Sequence, residues 1–187
     1  FTDSSWTTAG TITGWAWDID NNGTVDYTVQ NPQHTFPAGG PYAVKLVSTN
    51  SAGCQDSVVI TVNIPYIPVA DFTFDTVCVG NQTCFTDLSN VTGSTITGWQ
   101  WVFGDGSPVN NTQNPCHTYA NPNTYNVTLI VTSADGCTQT VVKSVTVNDL
   151  PVAAATVNTE CEYDLVTFTD NSTVTVGAIN SWQWDVD

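Results

Sequence analysis

The chain has 187 residues, 41% hydrophobic and 11% aromatic, which is enough apolar material to bury a core. Only 10% is charged, and Lys45 and Lys143 are the only basic residues against 17 acidic ones, for a formal charge of -15. That balance cannot neutralise phosphates, which excludes nucleic acid and disfavours anionic membranes, and no apolar run approaches the roughly 20 residues of a membrane helix.

Phe1-Thr2-Asp3 reads as the inside of a strand already under way, so the sequence is expected to be a window on a longer polypeptide. Trp15 and Trp17 sit two apart, which puts both rings on one face of a strand. In "WDIDNNGTVD", residues 17–26, Asp18, Asp20, Asn22, the Thr24 carbonyl and Asp26 occupy positions one, three, five, seven and nine of a calcium loop. Position twelve is Val29, so the bidentate Glu is missing. An Asp/Asn turn closed on its own backbone accounts for the same letters. A calcium ion held here would be weak and structural. Next come "NPQHTF", then "YAVKLVST" with Tyr42, Val44 and Leu46 on one strand face, then a turn ending at Cys54. "NIPYIPVADF" breaks the pattern with two prolines and reads as a linker.

Beyond that linker the same letters return. "FTDSS" at Phe1 recurs as "FTDLS" at Phe85 and "FTDNS" at Phe168. The Trp pair recurs as Trp99/Trp101 and Trp182/Trp184, and "NPQHTF" as "NPCHTY". "SAGC" recurs as "ADGC", ending at Cys137. Offsets of 84 and 83 residues define three repeats: 1–64 lacking its first strand, 65–148 complete, and 149–187 the front of a third. Turn signals every eight to twelve residues or so, and no useful helical periodicity, predict about seven short strands per repeat. The Trp pair falls on the third. The expected fold is all-β, a linear array of immunoglobulin-like sandwiches.

The stretch "GWQWVFGDGSPVNNTQNPCHTYANPNTYNVTLIVTSADGC" resembles the PKD (polycystic kidney disease) domain. That family's signature is a W-x-F-G-D-G turn, then N-P-x-H-x-Y, then a G-x-Y-x-V-x-L-x-V strand. Asn123 stands where Gly is usual, and the first repeat departs at the turn with "WDIDNNG". Cys78-Val79-Gly80 before "FTD", and Gly-Cys after the long strand, resemble the variant in giant surface proteins of Bacteroidota. The resemblance implies an extracellular module strung in tandem, used in adhesins and as a spacer in secreted hydrolases. Six cysteines in an acidic, Thr- and Asn-rich chain agree with an oxidising compartment.

No catalytic residue is expected. His34 and His117 recur at equivalent strand positions, as packed or hydrogen-bonded residues do, and no Ser, Cys or second His accompanies them in a triad. Asp18 and Asp26 could be imagined as a glycosidase pair, but a surface turn whose acids are missing from the second repeat is a poor active site. The paired tryptophans are expected in the core, whereas Trp6, in the loop after "FTDSS" that carries Val91 and Val174 in the other repeats, is the best candidate for stacking on a sugar or a neighbouring repeat. Asp56-Ser57-Val58 and Asp75-Thr76-Val77 fit the D-[ST]-aliphatic pattern that the lineage resemblance associates with O-glycosylation, which makes Ser57 and Thr76 the expected glycan carriers.

Cys84 and Cys116 occur only in the second repeat, and opposite parity to Phe85, His117 and Tyr119 places both on the outer face of neighbouring strands. A bond between them is expected. Cys54 and Cys137 precede the last strand, and Cys78 and Cys161 precede the second. Two pairings stay open: Cys78 with Cys137 inside one repeat, or each first-turn cysteine with the last-hairpin cysteine of the following repeat.

The expected role is a non-catalytic segment of a long secreted surface protein, a rigid stalk or filament that extends an adhesive tip from the cell. Its partners would be neighbouring repeats of the same chain, with glycans or other cells met through parts outside this window. The alternatives are a self-assembling extracellular fibre subunit, or an accessory carbohydrate-binding or spacer module of a secreted hydrolase.

Overall fold

The computed structural model describes residues 1–158 and 160–186 and contains strands but no helix among them. It comprises two compact units. The first unit comprises Phe1–Ile67 with residues 91–95 and 133–137, and the second comprises the remainder.

In the first unit, β1 (Ile12–Asp18), β2 (Gly40–Asn50) and β3 (Gln55–Ile64) form one antiparallel sheet in that order. Alternation sends Val44 and Leu46 of β2 to the interior, where they meet Trp17 and Ile19. Phe1, Trp15, Tyr27, Phe36, Tyr42 and Val62 pack around this core. The β2–β3 turn closes through Gly53, whose φ of 81° suits a residue without Cβ, and the Asn50 side chain accepts the Ala52 and Cys54 N–H groups. After β3, the linker residue Tyr66 donates its N–H to Asp135 at 3.2 Å and accepts the Ser133 hydroxyl at 3.0 Å. Its ring lies where a Cβ on Gly93 would stand.

In the second unit, β4 (Phe72–Phe74), β5 (Gln82–Asp87) and β7 (Cys116–Thr118) form one sheet. The other sheet has the order β6 (Ile96–Val102), β8 (Asn123–Ser133), β9 (Thr138–Val147). Phe72 and Phe85 from the first sheet share a core with Trp101, Val127, Leu129, Val131, Val145 and Val147 from the second, the facing-sheet arrangement of an immunoglobulin-like sandwich. Tyr119 is buried with them and donates its hydroxyl to the Phe103 carbonyl at 3.1 Å. Burial drives the pKa of that hydroxyl above the ordinary tyrosine value. The short β10 (Ala155–Val157) and β11 (Phe168–Asp170) pair at the chain's end.

Three expectations need correction. Residues 65–148 contain six strands, because the segment at Asn110 makes only a single bridge to Trp101. Phe1–Asp3 is not a strand, whereas its counterparts Phe85–Asp87 are one because they pair with β4. Trp182 and Trp184 are 55% and 46% exposed, since the strands that bury Trp99 and Trp101 have no equivalents within residues 149–186.

Candidate functional site

The acidic turn of the first repeat hangs from Trp17, whose N–H donates to the Tyr27 carbonyl at 2.8 Å and whose carbonyl accepts the Asp26 N–H at 2.7 Å. Asp18, only 6% exposed, accepts the Asn22 N–H at 3.0 Å on one oxygen and the Gly23 N–H at 2.8 Å on the other. Asp26 accepts the Ile19 N–H at 2.7 Å, Asn22 accepts the Thr24 N–H at 2.7 Å, and the Asp20 carboxylate takes the Asn22 side-chain amide at 2.9 Å. The loop is thus closed by its own side chains, an arrangement of successive Asx turns. One oxygen each from Asp18, Asp20 and Asp26 also lie within 4.8 Å of one another, a span that a calcium ion coordinated at roughly 2.3–2.6 Å can bridge. Asn22 and the Thr24 carbonyl belong to the same turn.

At the matching turn of the second repeat, a different device operates. Asp105 accepts the Ser107 N–H at 3.0 Å and meets His117 Nε2 at 2.7 Å. Burial pushes the Asp105 carboxyl up, but the Ser107 and His117 hydrogen bonds outweigh it and hold the pKa at about 2. His117 stacks flat on Phe103 at 4.2 Å. Its counterpart His34 is exposed and bonds the Tyr27 hydroxyl at 3.0 Å.

A recurring bracket went unread in the sequence. Asp87 Oδ2 accepts the Trp99 indole N–H at 2.7 Å and the Gln113 amide at 3.1 Å, while its other oxygen takes the Ser89 N–H. Asp3 does the same with Trp15, Gln30 and Ser5, and Asp170 repeats the Trp182 and Ser172 contacts. The available signal was the fixed Asp in "FTD" followed, twelve residues on, by the first Trp of each pair. Also unread was the pair of Lys143 with Asp71, at 2.6 Å.

Cys84 and Cys116 stand opposite each other on β5 and β7 and are joined by a disulfide, with Cα atoms 4.0 Å apart. Cys54, Cys78, Cys137 and Cys161 are free thiols. Cys78 lies beside Asn148, just past the end of β9, whereas Cys137 immediately precedes its start. The ten residues of β9 separate these points by roughly 33 Å, far beyond the roughly 7 Å Cα limit of a disulfide. A Cys78–Cys137 bond within one repeat is therefore incompatible with this fold. Ser57 on β3 and Thr76 after β4 are both exposed. Trp6 is 79% exposed beside a groove of about 390 Å³.

Among solved structures, the PKD1 domain of Vibrio anguillarum Epp is 26% identical, covering 43% of this chain and 93% of its own, with a TM-score of 0.41. The PKD1 domain of the Vibrio cholerae metalloprotease PrtV is likewise 26% identical, covering 43% and 96%, with a TM-score of 0.41. Fibronectin(III)-like modules of Clostridium thermocellum CbhA are 13% identical over 78% of this chain and 83% of theirs, with a TM-score of 0.39. The sequence itself matches the PKD domain over residues 1–64 and again over 66–147. With most of its length accounted for by two successive matches, the chain belongs to the PKD domain family.

Proposed function

We propose that this chain is a non-catalytic segment of a secreted tandem-repeat surface protein, serving as a rigid stalk or filament that carries an adhesive tip away from the cell. The observation behind this reading is the Asp–Trp bracket, built three times at intervals of 84 and 83 residues. Among the described residues, the letters that recur from repeat to repeat brace the fold. PKD domains occur in extracellular and secreted proteins, and a disulfide suits that setting. The formal charge of -15 would hold neighbouring strings apart. Calcium at Asp18, Asp20, Asn22, Thr24 and Asp26 would act as a structural brace, and glycans on Ser57 and Thr76 would cover exposed surface.

Single-molecule pulling tests the load-bearing role. A stalk module should unfold in discrete, high-force steps, and reduction should lengthen the second repeat's step by the 32-residue Cys84–Cys116 loop, about 110 Å. Smooth extension at low force would overturn the stalk reading.

A further inference from the structure

In the second unit β9 is an edge strand, because the order β6, β8, β9 leaves it one neighbour. Just past its end, the Asn148 N–H and carbonyl turn away from β8 and bond the Val77 carbonyl and the Val79 N–H. Antiparallel alternation turns the backbone groups of Thr146, Ser144, Val142, Thr140 and Thr138 the same way. Among the described residues, no backbone group bonds them there. Sheet edges are ordinarily guarded by an outward lysine, a proline or a bulge. β9 has no proline, and its register with β8 runs unbroken from Asn123↔Val147 to Thr132↔Thr138. Its one charge, Lys143, is tied to Asp71 at 2.6 Å and lies over the buried Phe72 ring. Along the exposed face the strand reads Thr138, Thr140, Val142, Ser144, Thr146, which is symmetric by type about Val142. At the matching positions β3 carries Gln55, Ser57, Val59, Thr61 and Asn63, again symmetric about a valine.

We propose that β9 pairs antiparallel with β9 of a second copy of this chain, about a two-fold axis at Val142. In that register Val142 meets its own counterpart, Thr140 meets Ser144 and Thr138 meets Thr146. Each is a pair whose free backbone groups face each other, for about ten hydrogen bonds in all. A shift of two residues would set the Val142 side chain, 55% exposed, against a hydroxyl. Charge selects the same partner. A chain with a formal charge of -15 repels its own copies, so a self-contact forms where no carboxylate meets another, and these facing pairs contain none. One strand edge is small beside the roughly 1,000 Å² of a stable interface, so a single contact makes a weak dimer that tandem repeats would multiply. This lateral pairing goes beyond the stalk reading and does not depend on it.

The test is sedimentation equilibrium of the full chain, with Val59→Lys in every sample so that the matching β3 edge does not contribute. A dimer is expected, about tenfold tighter at roughly 0.5 M salt than at roughly 0.05 M, as screening relieves the repulsion. Val142→Lys and Val142→Asp chains should each stay monomeric while circular dichroism shows the sheet intact. Mixed in equal amounts they should associate, because the two-fold register sets position 142 against itself. Val142→Lys also makes the chain less negative, so a general charge effect would raise its association instead. Monomers at about millimolar chain in roughly 0.5 M salt, or dimers that persist in both variants, would overturn the proposal. A mixture that stays monomeric would overturn the two-fold register.

Discussion

The Trp99 indole N–H donates to Asp87 Oδ2 at 2.7 Å, tying β6 to β5 across the sandwich. Because Gln113 and Ser89 bond the same carboxylate, one side chain joins three segments of the repeat. Hydrogen bonds to a charged group each contribute roughly 1.5–3 kcal/mol. Asp87→Ala should therefore destabilise the second repeat by about 3 kcal/mol, measured by urea denaturation, with Asp3→Ala acting similarly on the first. A cost below about 0.5 kcal/mol, the range of ordinary surface substitutions, would show that the bracket is decorative.

Acid should act through Asp105. Its pKa in the folded chain, about 2, lies below the ordinary 3.8, so the ionised carboxylate favours the folded state. That contribution is complete above pH 3.8 and is lost as the pH falls through about 2. Asp3, Asp71, Asp149 and Asp170 are also lowered and act with the same sign. Stability should thus decline on acidification in this window, and Asp105→Asn should flatten part of the slope. An unchanged slope in that variant would remove Asp105 from the account.

Thr83 is fully buried on β5, and its hydroxyl has no hydrogen-bond partner. The third repeat carries Val166 at the matching place, 83 residues on. An unpaired buried hydroxyl costs roughly 1–3 kcal/mol, and valine keeps the shape without the polar atom. Thr83→Val should raise the stability of the second repeat by about 1 kcal/mol in urea denaturation. A loss of stability would mean that the hydroxyl is satisfied in solution.

Calcium should raise the melting temperature of the first repeat and leave the second unchanged. Three carboxylates converge in one turn and only Asp105 in the other. Asp20→Ala should abolish the gain while leaving the Asp18 bonds to Asn22 and Gly23 in place. Equal shifts in both repeats, or a shift that persists in Asp20→Ala, would retire the site.

Period-two alternation made β2 and β8 legible, since Val44, Leu46, Val127, Leu129 and Val131 all point inward as strand geometry requires. The same parity holds for Cys84 and Cys116, neither of which is buried. What could not be read depends on partners distant in sequence. Phe1–Asp3 has strand-forming letters, but strand state needs a neighbour to bond. Trp182 has core-forming parity, but burial needs the β8 and β9 equivalents. The Asp–Trp brackets were hidden for another reason: they join polar atoms of separate strands, and neither hydrophobic period nor turn chemistry reports on them.

The four free thiols lead to the last prediction. Cys78 sits at the pole of the second repeat where β9 ends: its neighbour Val79 donates its N–H to the Asn148 carbonyl at 2.8 Å. Cys137 sits at the hairpin end, where Ser133 donates to its carbonyl at 2.8 Å. With β9 keeping the two apart, the prediction is that each first-turn cysteine bonds to the last-hairpin cysteine of the following repeat. Such staples would stiffen successive beads. A chain with residues 65–148 duplicated in tandem, oxidised with glutathione disulfide, supplies both halves of one staple. Two thiols would give up two electrons and two protons to the glutathione disulfide as the bond forms. The original chain has free thiols at Cys54, Cys78, Cys137 and Cys161, and duplication adds a second Cys78 and a second Cys137. Thiol titration of the duplicated chain should still count the original number, and peptide mapping should link the first Cys78 to the second Cys137. Cys78→Ser in the first copy should free its partner. If both added cysteines titrate as free thiols, the cross-repeat staple is wrong.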